Sequence, residues 1–122
     1  MKFKIAALLA YLLTAAPLAA HDVVNGPNGG RVVDAGVHHV EMVVSGTTVT
    51  VFVKDTADKP VGVSGFKGLA ILTVGGKAQR IVLQPQDGSR LTGTSPMMLP
   101  ADVKGVVQVT GPDGNTAQGR FP

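Results

Sequence analysis

Most of the chemistry this sequence offers lies in the run His38-His39-Val40-Glu41-Met42 and in His21 upstream of it. His39 and Glu41 are two positions apart. In an extended strand such residues point the same way, so an imidazole nitrogen and a carboxylate oxygen face one spot. Zinc and copper accept both donor types, and the pair would supply two of the three or four ligands they need. A solvated sheet face carries the same pair when the side chains meet only water or each other. His38 falls on the opposite face with Val40, Met42 and Val44, as a rim histidine with one hydrogen bond or as a further ligand.

His21 gains its interest from what precedes it. Lys2 and Lys4 form a short positive region, Ile5 to Leu13 is an unbroken apolar run, and Ala15, Ala16, Ala19 and Ala20 are small. This is the layout of a secretory signal peptide over residues 1–20. The apolar run is shorter than the roughly 20 residues a bilayer-spanning helix requires. Cleavage after Ala20 is the expected site, although Leu18 is larger than the usual residue at its position. The mature chain would then begin at His21, whose α-amine and imidazole together chelate a soft or borderline metal. Without that cleavage, His21 is only a residue of a loose terminus.

The remaining candidates have plainer readings. Met97 and Met98 carry thioethers of the kind that bind Cu(I), but Met residues also fill gaps, here at the open end of a β-sheet fold. Asn28-Gly29-Gly30-Arg31 and Gly75-Gly76 are not followed by a helix that would hold a phosphate, and they read as turns. Asp55 and Asp58, beside Lys54 and Lys59, read as a solvated charged turn. There is no cysteine, no Gly-x-Ser-x-Gly elbow and no spacing that singles out a catalytic triad. The expectation is a protein that is not an enzyme.

Composition bounds the rest. The formal net charge is +3, and Lys2 and Lys4 contribute two of those charges. No basic run remains in the mature chain, so nucleic-acid binding has little support. A cysteine-free chain sent to an oxidising compartment has no disulfide, so a hydrophobic core must hold it.

The elements that must position these residues are strands. After residue 20 no 3.6-residue period builds up. Short β-branched runs recur between Gly, Pro, Asn and Asp. Strands are expected at 31–34, 37–45, 47–54, 68–74, 77–84, 105–110 and 116–121, with 61–64 and 90–93 as candidates for a further brief strand and a connection over 94–102. The alternation assigns Val40, Met42, Val44, Val49, Val51 and Val53 to the core. The expected fold is an all-β, immunoglobulin-like antiparallel sandwich of seven or eight strands over 31–122, with an open barrel as the alternative. It follows a flexible segment at 21–30.

One stretch also carries a family pattern. Asn28-Gly29-Gly30-Arg31-Val32-Val33 is followed by Gly36-x-His38-His39-Val40-Glu41-Met42-Val43, then Thr50-Val51-x-Val53-Lys54-Asp55 and Asp58-Lys59-Pro60-Val61. This resembles the small β-rich domain near the N-terminus of periplasmic adaptor subunits of heavy-metal efflux pumps, and equally small stand-alone exported proteins that share the pattern. The resemblance spans residues 28–61. It implies a periplasmic location, partnership with a metal exporter, and handling of copper, zinc or a similar ion. Asn28 stands where members of that family often have His, which removes one ligand. The adaptors' long helical hairpin is not in this sequence. Secreted copper carriers with a mature N-terminal His are similar in size, compartment and His21 only.

The expectation is therefore a periplasmic binding module, linked to copper or zinc homeostasis or efflux, with His21, His38, His39 and Glu41 as candidate ligands. Its rival is an envelope accessory domain with no metal chemistry, docking through a sheet edge or the Pro96–Pro100 loop.

Overall fold

A computed structural model describes residues 23–122; the expected signal peptide and His21 lie outside them. The described chain contains no helix. It forms nine strands: β1 (Val24–Asn25), β2 (Arg31–Ala35), β3 (His38–Ser45), β4 (Thr48–Asp55), β5 (Lys67–Val74), β6 (Lys77–Gln86), β7 (Arg90–Thr94), β8 (Lys104–Thr110) and β9 (Thr116–Phe121). All pairings are antiparallel, in the order β1-β2-β3-β4-β7-β6-β5-β8-β9.

Period-2 alternation drives the central strands. On β4, Val49, Val51 and Val53 are buried while Thr48, Thr50 and Phe52 are not. On β3, Val40 and Met42 face the same interior, as the sequence requires, and Val44 is only partly buried against it. Leu72, Ile81, Leu83, Leu91, Val107 and Phe121 are among the residues that join this core from the other strands. Each such side chain contributes roughly 1.5–3 kcal/mol by leaving water, which is how a chain without disulfides is held.

The expected pair of separate sheets is not what the ladder forms. Hydrogen bonding passes through one nine-stranded sheet that curls into a half-barrel, closer to the open-barrel alternative. The strand β6 belongs to both halves: Lys77–Leu83 pair with β5, and Gln84–Gln86 pair with β7. Pro85, with no N–H to donate, sits in the stretch that has already left β5. The curl brings β2 against β9. A Cβ on Gly119 would stand 2.8 Å from Val33 Cγ2 and 3.2 Å from the Asp34 carbonyl oxygen, so any larger residue there must push the Val33 side chain or the β2 backbone aside. Arg31 fastens the same seam. Its guanidinium lies 5.4 Å from the Phe121 ring centroid and donates to the Val103 and Pro122 carbonyl oxygens. Burial lowers its pKa and nearby Asp102 opposes the shift, yet it remains a cation.

Three local expectations change. Residues 24–30, read as a loose lead segment, hold the short strand β1 and a hydrogen-bonded turn. Residues 61–64 are not a strand, because after the Lys54–Pro60 bridge the chain turns inward to bury Val63. Met97 and Met98 do not plug the fold: they are 41% and 70% exposed, while Leu99 beside them is buried.

Candidate functional site

The outward face of β2, β3 and β4 carries a group of polar side chains in mutual contact. The hairpin around Gly36 and Val37 pairs Asp34 with His39, and β4 places Lys54 on the other side of His39. These three form one row across the sheet. The turn after β4 adds a fourth group. Asp55 Oδ1 accepts hydrogen bonds from the Ala57 and Lys59 backbone N–H groups, and Asp58 adopts a left-handed φ of 64°. That turn is Asx chemistry, and its effect is to hold Asp58 over the sheet. Asp58 Oδ1 lies 2.8 Å from His39 Nδ1, and Asp34 Oδ1 lies 3.4 Å from His39 Nε2. His39 is thus bracketed by two exposed carboxylates from different chain segments. A cleft of about 430 Å³ opens beside them, walled by Val24, Pro27, Val32, His39, Lys54 and Asp58 among others.

Glu41 is in this neighbourhood but is otherwise engaged. It is only 2% exposed, although it is on the outward face. Its Oε2 accepts from the Asn28 N–H at 2.9 Å and the Gly30 N–H at 2.8 Å, and its Oε1 accepts from Asn28 Nδ2 at 2.9 Å. The turn it anchors is closed by Gly26 N–H donating to the Gly30 carbonyl. Gly26 sits directly over the carboxylate, where a Cβ would come within 2.2 Å of Glu41 Cδ. Three donors on one buried carboxylate make a structural anchor. Asn28, the residue that departs from the adaptor pattern, is Glu41's main partner.

His38 and His39 do not share a site. His38 points inward at the start of β3 and packs edge-on against Phe66, with ring centroids 5.9 Å apart and planes at 76°. Its Nδ1 is buried without a hydrogen-bond partner. It lines a second cleft of about 400 Å³ with Val37, Phe66 and the β8–β9 hairpin. His21 is outside the described residues.

The arrangement therefore has two donor types in contact, imidazole and carboxylate, but not a closed ligand set. Asp58 and Asp34 meet different ring nitrogens, so they flank His39 without converging on one point. Among the described residues, no group of three His, Cys, Asp or Glu side chains is placed to hold a metal ion.

Asp34 was not singled out from the sequence, and Asp58 was read only as part of a solvated charged turn, whereas both meet His39. Asp34 carried a readable signal, since folding the sequence about Gly36-Val37 puts it opposite His39. Asp58 carried none beyond its place in a polar turn.

Comparison with protein-family models, with curated proteins and with solved structures finds no match. The resemblance at residues 28–61 thus rests on its own motifs. Among the described residues, no helix is long and apolar enough to cross a membrane.

Proposed function

We propose that this chain is an exported, periplasmic, non-enzymatic binding module for copper or zinc, connected with metal homeostasis or efflux. The observation that supports this reading best is the His39 imidazole 2.8 Å from Asp58, at the wall of an open cleft. In this reading His39 supplies a neutral nitrogen and Asp58 or Asp34 an anionic oxygen. Binding displaces one of the two existing His39 contacts. His21, as a free terminus after cleavage, supplies an amine and a second imidazole by sequence. Glu41 takes a positioning role, holding the turn that walls the cleft. The two halves of the curled sheet act as the faces of a sandwich-like support.

Calorimetric titration of residues 21–122 with Cu(II) and Zn(II) tests this. Binding should weaken in acid, as protons compete with metal for imidazole, and should fall at least about tenfold in His39→Ala. A version with one residue added before His21 should bind Cu(II) more weakly. Absence of binding at tens of micromolar metal, or equal binding by His39→Ala, ends the metal reading.

A second reading has its own observation. Met97 and Met98 stand exposed beside the buried Leu99, and such a shoulder suits an envelope partner protein. Function retained in His39→Ala and lost in a Met97→Ser, Met98→Ser variant would favour it.

A further inference from the structure

The strands on the far side of the curl carry a different charge from the His39 face. No residue of β5, β6, β8 or β9 is acidic. Their buried residues alternate with outward ones, so the outward set is fixed by the register. Leu69 pairs with Val82, and Ile71 pairs with Val106. These four aliphatic side chains are neighbours on the solvent side, where alternation normally puts polar residues. Val82 is 63% exposed. The row through Ile71 and Val106 ends in Arg80 on one side and Arg120 on the other. Lys67 stands at one end of the patch and Lys104 at the other. All four cations are exposed, and none forms an ion pair with another described residue.

We propose that this face is a peripheral docking surface for an anionic lipid membrane. Its two features fit that occupant together. The cations match the phosphate charge of acidic headgroups. The aliphatic centre reaches the headgroup boundary as the long Lys and Arg side chains splay toward the phosphates. A second copy of the chain is a poor fit, because a two-fold stacking of this face would set cation against cation. Nucleic acid would leave the aliphatic centre unused, and the face has no aromatic ring on which a base stacks. Neither His39 nor any metal enters the proposal.

Residues 21–122, which include every described strand, are mixed with vesicles of phosphatidylcholine, with or without phosphatidylglycerol, and sedimented. The chain should sediment with the phosphatidylglycerol vesicles at low salt and be released as salt rises. The double variant Arg80→Glu, Arg120→Glu should bind about tenfold or more weakly. Val82→Ser should weaken binding while leaving its salt dependence unchanged. Both variants change exposed residues, and circular dichroism checks that the sheet is retained. Failure to bind phosphatidylglycerol vesicles, equal binding to pure phosphatidylcholine, or indifference to charge reversal would overturn the proposal. Capture on immobilised polyglutamate without vesicle binding would overturn it in favour of an acidic protein partner.

Discussion

Two neighbouring outward residues on β3 have opposite roles. Glu41 is sealed under the 26–30 turn by three hydrogen bonds, whereas His39 meets two carboxylates at an open cleft. The consequences of mutation should separate accordingly. Glu41→Ala removes the acceptor for two backbone N–H groups and empties a buried position. It should lower unfolding free energy by about 2–4 kcal/mol, read from the urea midpoint. His39→Ala breaks only partly exposed contacts, which are worth about 0–1 kcal/mol, so its urea midpoint should barely move. A Glu41→Ala variant as stable as wild type would contradict the anchoring role. The i, i+2 spacing placed both side chains on one face of β3, but it did not distinguish them. What separates them is a turn closed from 11 to 13 residues away in sequence, and nothing in the spacing itself reports that.

At the scale of elements, strands were legible where valine alternation ran long, as in β3 and β4. Two-residue turns also fixed their partners: Ser45 faces Thr48 and Val74 faces Lys77. The order of the sheet was not legible, because β7 inserts between β4 and β6 and no local signal records such a long-range pairing. Residues 61–64 misled for a related reason. Val61 and Val63 look like strand residues, but the strand positions beside β4 are taken by β7 over Thr48–Val51, and Val63 goes to the core. The approach of β9 to β2 at Gly119 gives a sharp prediction. Gly119→Val places a Cβ against Val33 and the β2 backbone. Overpacking of that kind costs about 1–3 kcal/mol, and thermal melting should show it. An unchanged melting temperature would mean that the β2–β9 seam is looser than described.

For the whole molecule, the curl sorts charge as well as apolar surface. Asp34, Glu41 and Asp58 gather on one outer face, while the four strands opposite hold only cations among their ionisable groups. With no cysteine, no disulfide helps to maintain that separation. A ligand bound only by the folded chain should therefore add stability by mass action, about 2.7 kcal/mol at a hundredfold excess over its dissociation constant. Zn(II) should raise the melting temperature of residues 21–122 and leave His39→Ala little changed. The most direct measurement follows the histidine rings themselves by nitrogen-15 NMR during titration with Zn(II). The His39 ring nitrogens should shift first and saturate, while those of His38, packed against Phe66 on the opposite face, should stay in place. Signals of His39 that remain unmoved at saturating Zn(II), or that move no more than those of His38, would contradict metal binding at His39.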